Sequence, residues 1–536
     1  MLKNSKYLYS SDSNCVPVKL NLGEFVINNL KKYGNKLAIV NAVTDEGLTY
    51  DDILQSSLNI AVSLIKMGVK KGDVVGICSE TQLENWPTII GIACTGAAVT
   101  PFSNGFSKDE LKHLMNISKP KYLFCSMPVY KTQKDLFKSL DYIETIILFG
   151  DERLDDLLLY QDLAKVSSKS VISRNVCYEE FVPVEVEGQT DVVLLMYSSG
   201  STGLPKGVML SHLNVITACQ LSYTIDPTLR LLNIIPWHHA YGMMSGLIFL
   251  CRGMDVKYVP KFEIDLYLRS IEKYKAQQLI LVPSVVVAIT KTTSPYDLSS
   301  VVNILCAAAI LEKSVIEAVK EKLKNLKAVV QAYGLTETTY VITVDTYFRD
   351  GKCCMGSVGK VISDTVIKIV DIETREPLGP NQHGEVCVKN PSIMKGYVGY
   401  DRKRDFDSEG FLKTGDIGYY DENEYLYLVD RLKEIIKYKG YQVPPAEVEA
   451  VLLQHPGVRE AAVVGLPDPK AGELPLAFVV PQSENSVTET ELQQFVAERL
   501  SNPKHLRGGV RFIKEIPKTL IGKTLRKYLR EKLNQN

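Results

Sequence analysis

The 536-residue chain has no excess of either charge: 62 lysines and arginines balance 62 aspartates and glutamates. A neutral balance supplies no basic footprint for nucleic acid and no electrostatic hold on an anionic membrane. Long apolar runs are missing too. The best candidates, TIIGIACTGAAV from Thr88 and LILVPSVVVAI from Leu279, fall short of the roughly 20 residues that a spanning helix needs, so no integral membrane segment is expected. The N-terminus, MLKNSKYLYSSDSN, carries no apolar core of signal type, and the C-terminal KLNQN is not a Ser-Lys-Leu address. A cytoplasmic location is the expectation, with the peroxisome left open. Paired cysteine motifs are also lacking: the 11 cysteines include no CxxC, and the neighbours Cys353 and Cys354 are poorly placed to bridge each other. That usage excludes a disulfide framework and a cysteine-rich zinc site, and it fits reduced thiols. No histidine stands at metal-ligand spacing from another histidine or a cysteine.

What is present is an ordinary globular composition, 45% apolar and 23% charged, over a length that suggests roughly three or four structural units. Apolar runs of strand type alternate with helix-periodic segments: KLAIVNA, DDILQSSLNIAVSLIKMG, VVGICS and ENWPTIIGIACTGA. The alternation predicts an α/β fold with largely parallel sheets. From about Val358 the texture turns to short alternating strands, as in TVIKIVDIETREPLGPNQHGEVCVK, which predicts a β-rich subdomain. After Asp430 come a charged segment, a Gly/Pro turn and an amphipathic helix starting at Pro445-Ala-Glu. The expected division is a large N-terminal domain, 1–431, of two α/β subdomains plus a β-rich one, and a small α+β C-terminal domain, 432–536.

The stretch YSSGSTGLPKG, Tyr197–Gly207, holds three glycines, the hydroxyls of Ser198, Ser199, Ser201 and Thr202, and Lys206. The preceding DVVLLM reads as a strand and the following VMLSHLNVITACQ as a helix. A strand–loop–helix passage with free backbone N–H groups at the helix start is a place for phosphate. It is not the common P-loop, because Gly207, not a hydroxyl residue, follows the lysine.

Four further motifs follow in order: PWHHAYGM (Pro236–Met243), QAYGLTETT (Gln331–Thr339), KTGDIGYYDENEYLYLVDRLKEIIKYKGYQVPPAEVE (Lys413–Glu449) and PKTLIGKTLRKYL (Pro517–Leu529). Together with the glycine loop they resemble the adenylate-forming superfamily over nearly the whole chain, from about residue 20 onward. The wording is most similar to the branch holding insect luciferase-like acyl-CoA synthetases, 4-coumarate:CoA ligases and luciferases.

The resemblance implies ATP-dependent activation of a carboxylic acid to an acyl-adenylate, then transfer to coenzyme A, the acid being fatty or aromatic. A luciferase that oxidises a non-beetle luciferin with O2 is the alternative. It implies a clamp on the β- and γ-phosphates from Ser198 to Gly203 (Ser199, Gly200, Ser201 and Thr202 between them) and Lys206. Glu337 would be the Mg²⁺ ligand, a hard carboxylate for a hard ion, and Thr336 would touch the α-phosphate. Ala307, Gln331, Ala332, Tyr333 and Gly334 would border the nucleotide, with Tyr333 stacked on adenine. Asp416 would accept both ribose hydroxyls, and Arg431 would reach the ribose or phosphate as a rigid fork. Lys523 would bridge the carboxylate and the α-phosphate. The resemblance also implies a small domain that swings about Lys433 to present Lys437, Lys439, Gly440 and Gln442 for the thioester step. His239 would sit beside the acyl carboxylate, in a pocket built with Tyr241, Gly242, Ala308, Ile310, Leu335, Tyr340 and Val341. Partners beyond small molecules are not implied; a monomer or weak homodimer is expected.

The departures cluster in that acyl pocket. Where relatives carry a Gly/Ala/Pro-type stretch this chain has AAAI, Ala307–Ile310. After TETT it has Tyr340 and Val341 where beetle luciferases carry small residues. No arginine lies between His212 and Asp226, where beetle luciferases place one near luciferin. These changes argue against beetle luciferin as the substrate.

Overall fold

The computed structural model describes residues 5–13, 16–198, 205–220, 226–309, 311, 313–347, 351, 354–439, 441–483, 487–518 and 524–533. Ser199, Gly200, Ser201, Thr202, Gly203, Ile310, Gly440 and Lys523 lie outside the described residues, as does the side chain of Gln442.

Among the described residues, four sheets organise the chain. The first α/β unit is an eight-stranded sheet whose centre, Val192–Ser198, Ala98–Phe102, Val74–Cys78 and Tyr122–Ser126, is parallel. The second is a nine-stranded sheet with a parallel centre running from Leu37–Asn41 to Ala328–Gly334. Apolar residues on both faces of such strands require helical cover on both sides. The helices Tyr50–Lys66, Asn85–Cys94 and Ala240–Cys251 supply part of it, and the two units share one continuous core that includes Trp86, Leu58 and Trp237. The β-rich unit is the expected one: an antiparallel sheet in which Val366–Val370, Gly384–Lys389, Leu412–Tyr420 and Leu426–Arg431 pair in sequence, with Tyr7–Tyr9 on its edge.

A separate C-terminal domain follows, mixed α+β. Its sheet is built on the long hairpin Val458–Asp468 with Gly472–Pro481, flanked by the hairpin Ile436–Tyr438 with Tyr441–Val443 and by the parallel strand Gly509–Phe512. Its two faces bury their own clusters, one around Val448, Val479 and Leu492 and the other around Phe478 and Leu529. Pro445 opens the helix Pro445–Leu452, as its fixed φ and missing N–H favour.

One local expectation is overturned. The glycine loop does not run from a strand into a helix. Lys206–Ser211 is a strand that pairs antiparallel with Val192–Ser198, Lys206 facing Ser198 and Val208 facing Met196. Both sides of Gly207-Val208-Met209-Leu210 find partners in the sheet, and that burial outweighs the helical spacing. The helix begins only at His212, where Ser211 and Asn214 form a reciprocal cap. The helix dipole therefore starts six residues after Lys206, away from the loop, and cannot be what makes the loop attractive to an anion.

Candidate active site

The strand Ala328–Gly334 lies inside the nine-stranded sheet and delivers QAYG to its edge. Ala332 pairs with Val344 and Gly334 with Val341 on the returning strand. A side chain at Gly334 is impossible, because its Cβ would stand 2.0 Å from the Tyr340 carbonyl oxygen. The turn between the strands is tied by Thr338, whose Oγ1 accepts from the Leu335 N–H (2.8 Å) and donates to the Tyr340 carbonyl (2.7 Å). Thr339 is fully buried with φ at 67°, a costly conformation for a β-branched residue, and its hydroxyl donates to the Ser392 carbonyl. The strain is held in place from both sides, and the short 3₁₀ turn Thr336–Thr338 is thereby fixed.

Glu337 on this turn is half-buried. Its carbonyl accepts from the Met394 N–H (2.8 Å), and its Oε1 accepts from the Tyr397 hydroxyl (2.7 Å). Burial and the Glu337 carboxylate push the Tyr397 phenol far up its range, so it is a permanent donor. Among the described residues, the second carboxylate oxygen of Glu337 has no hydrogen-bond partner. Across the same tyrosine lies Lys206, 7% exposed, its Nζ 4.6 Å from the Tyr397 ring centre and 5.3 Å from that of Tyr400. A buried ammonium held over two aromatic faces, with no carboxylate in contact among the described residues, has charge available for an incoming anion.

The third corner is Asp416, 5% exposed, in the rung of the β-rich sheet opposite Arg431. Its Oδ2 accepts from the Tyr333 hydroxyl (2.6 Å), and its Oδ1 meets Arg431 Nε at 2.7 Å. The Asp416 charge raises the Arg431 guanidinium, and burial with Asp416 drives the Tyr333 phenol up. Gln331 behaves differently: its amide donates to the Ser357 carbonyl (3.1 Å) and accepts from the Leu311 N–H (3.2 Å), so it braces the walls.

Sequence reasoning missed three things. Tyr397 and Tyr400 were not singled out, although GYVGY sets two aromatics among glycines just before the TGD segment. The hydrogen bond between Tyr333 and Asp416 joins two motifs 83 residues apart and has no local signal. Lys433, expected only as a hinge, is exposed by its surface area yet feels this site: desolvation, Arg431 and Arg530 lower its pKa, against Asp416 and Glu337.

At the other end, His239 is the residue before the helix Ala240–Cys251, and its ring lies 4.5 Å from that of His238. Burial, and then the neighbouring His239, keeps His238 far below its usual pKa and neutral. Gly242 packs so close to the Pro236 carbonyl that a Cβ would come within 2.1 Å. The Tyr241 hydroxyl donates to the Leu305 carbonyl (3.4 Å), and its ring centre is 6.2 Å from that of Tyr340. Val341 is buried, Leu335 is half-buried, and Ala307 donates its N–H to the Leu281 carbonyl (3.3 Å). Ala308 adopts φ 78°, a region that favours glycine. Lys437 and Lys439 stand apart from both ends. They are exposed on the C-terminal hairpin, with the Lys437 N–H donating to Glu473 and Lys439 Nζ 5.6 Å from the Tyr438 ring.

Among the described residues no group of three or more His, Cys, Asp or Glu could hold a metal unaided. Glu337, with one oxygen bonded and one available, suits a cation shared with phosphate oxygens.

Comparison with known proteins shows the family and the fold. The profile of the AMP-binding enzyme family matches residues 27–398, and that of the AMP-binding enzyme C-terminal domain matches residues 447–523. A luciferin 4-monooxygenase of Nipponoluciola cruciata is 41% identical, with 93% of this chain and 92% of that protein covered. A probable 4-coumarate–CoA ligase of Dictyostelium discoideum is 34% identical, with 99% and 98% covered. The crystal structure of the anthranilate CoA ligase AuaEII with anthranoyl-AMP shares the fold at a TM-score of 0.86 and 23% identity, covering 97% of this chain and 98% of that one. With its buried lysine, its Tyr333–Asp416–Arg431 group and its separate small domain, the chain belongs to the AMP-binding enzymes, the adenylate-forming superfamily of ligases and luciferases.

Proposed function

We propose that the protein is an ATP-dependent, AMP-forming acid:CoA ligase acting on a fatty or aromatic carboxylic acid. The observation that carries this reading is the convergence of Lys206, Glu337, Asp416 and Arg431, from four distant segments, around Tyr397 and Tyr333. One face of this cluster offers cationic charge to phosphates, and the other offers a carboxylate to ribose hydroxyls.

In the first half-reaction a carboxylate oxygen attacks the α-phosphorus of ATP and pyrophosphate leaves. Negative charge gathers on the phosphates, so the work is positioning and charge stabilisation. Lys206, with the loop Ser198–Gly203, holds the leaving pyrophosphate, and Thr336 and Arg431 face the α-phosphate and ribose. Glu337 would hold Mg²⁺, which would supply charge neutralisation to the phosphates. Neutral His238 and its neighbour His239 border the acid, and Lys523 bridges it to the phosphate. In the second half-reaction the sulfur of coenzyme A attacks the acyl carbon and AMP departs. Lys437 and the hairpin to Gln442 serve this step after the small domain turns about Lys433. The separate cores on either side of Leu432 support a boundary at 431/432.

The 41% identity to a luciferin 4-monooxygenase favours a second reading, in which O2 rather than coenzyme A consumes the adenylate. One experiment separates them: supply ATP, Mg²⁺ and a panel of acids, then follow pyrophosphate, thioester and light. We expect pyrophosphate with any accepted acid and thioester on adding coenzyme A. Light without coenzyme A would overturn the ligase reading, and pyrophosphate with no acid in the panel would overturn both.

A further inference from the structure

The acyl end of the site carries a plug. Tyr340 is 3% exposed, and its hydroxyl shares a 3.0 Å hydrogen bond with Ser245 Oγ, which is itself fully buried. Ser245 lies one helical turn beyond Tyr241 on the same face of the helix Ala240–Cys251, and the Tyr241 ring is the one that leans on Tyr340. The phenol thus ties the segment after Thr339 to the helix Ala240–Cys251.

Neither wall can retreat. On the Tyr340 side, the N–H donates to the Thr338 carbonyl (2.8 Å), the carbonyl accepts from Thr338 Oγ1, and the same carbonyl leaves no room for a Cβ at Gly334. On the helix side, Gly246 is pressed against Trp86 so closely that a Cβ would stand 1.9 Å from the indole, and Gly242 is pressed against Pro236. A rotamer change of Tyr340 would break the bond to Ser245 and strand buried hydroxyls. Burial pushes the phenol up to about 12, so it stays neutral at working pH.

We infer that Tyr340, bonded to Ser245, is the floor of the acyl pocket and restricts the protein to short-chain or single-ring carboxylic acids. The inference rests on the ligase reading above, which places the acid's carboxylate at His239. Ser245 is the sixth residue after His239, about 9 Å along the helix axis. The Tyr340 hydroxyl stands at that residue and its ring beside Tyr241, so a long alkyl chain or a fused two-ring acid that enters from His239 meets Tyr340.

The test is acid-dependent pyrophosphate release by the full-length protein, over straight-chain acids from acetate to palmitate together with benzoate and naphthoate. The wild type is expected to favour the short and single-ring members by at least ~10-fold in kcat/KM, about 1.4 kcal/mol of barrier. Tyr340→Ala should raise the ratio of palmitate or naphthoate to benzoate by a similar factor. Tyr340→Phe, which keeps the ring and loses the hydroxyl, should keep the wild-type order of preference. Tyr340→Leu serves if the alanine variant melts early. Equal use of palmitate and benzoate by the wild type overturns the proposal, and so does an unchanged ratio in a folded Ala or Leu variant. Silence with every acid instead refutes acid activation itself, a failure distinguishable from a pocket of the wrong depth.

Discussion

The two ends of the site are built from opposite materials. At the nucleotide end, charged and phenolic groups meet in hydrogen bonds of 2.6–2.7 Å between segments far apart in the chain: Tyr333 with Asp416, Asp416 with Arg431, Tyr397 with Glu337. At the acyl end, aromatic rings and close glycine contacts do the work, and the hydroxyls of Tyr241, Ser245 and Tyr340 bond within the wall itself. The first arrangement tolerates little change in chemistry, since losing one member of such a set leaves a buried polar group unpaired. The second tolerates changes of shape as long as volume is filled. One chain can therefore hold its nucleotide chemistry constant while its choice of acid drifts.

Substitutions can break this contrast. Lys523→Ala is expected to cut acyl-AMP formation by at least ~100-fold, about 2.7 kcal/mol of barrier, while thioester formation from preformed acyl-AMP survives. Lys437→Ala should do the reverse, and rapid-quench measurement of each half-reaction decides; equal losses in both would remove the division of labour. Next in size is a pH effect on the hairpin that carries Lys206. Burial holds His212 down to about 4 against an ordinary 6.5, and its Nδ1 accepts from the Leu22 N–H (2.9 Å). The unfolded chain then binds a proton that the folded one refuses between those values, so stability is full above 6.5 and falls as the pH drops toward 4. Going from pH 7 to 5 should cost about 2 kcal/mol from this group alone. Comparing denaturant unfolding of the wild type and His212→Gln at both pH values isolates it, because the variant should lack that part of the slope.

Smaller effects sharpen the contrast. Glu337→Gln keeps the size of the side chain and its acceptor for Tyr397 but loses the charge offered to a cation, so the Mg²⁺ concentration giving half-maximal rate should rise by roughly 10-fold. Titrating Mg²⁺ at saturating ATP measures it; an unchanged midpoint would move the ion elsewhere. Ala308→Gly, at φ 78°, should stabilise the fold by up to about 1 kcal/mol with little change in turnover, as seen in thermal melts.

Legibility in the sequence follows the same divide. Glu337, Asp416 and Arg431 stand in motifs whose residue types announce their chemistry, and the structure gathers them. The alternation of strands and helices, the β-rich segment after Val358 and the helix at Pro445 were likewise readable from periodicity and turn residues. The run after the glycine loop was misread because Gly207–Leu210 suits a helix face as well as a two-sided buried strand, and only the partner strand decides. Tyr397 and Tyr400 were invisible because a tyrosine between glycines has no fixed meaning until a lysine lies across it. Tyr340 was noted as a departure, but its bond to Ser245 spans 95 residues and could not be read locally.

Arg431 is the last residue of the strand that pairs with Asp416, and Lys433, two residues on, feels Asp416 and Glu337 through space. If Asp416 and Arg431 hold the nucleotide as proposed, that grip and the passage to the small domain are one short length of backbone. Thermodynamic linkage follows: every molecule whose small domain pulls this segment out of register is lost to nucleotide binding, and apparent affinity falls in proportion to that population. A substitution far out on the C-terminal domain can then masquerade as a binding defect while touching no ligand at all.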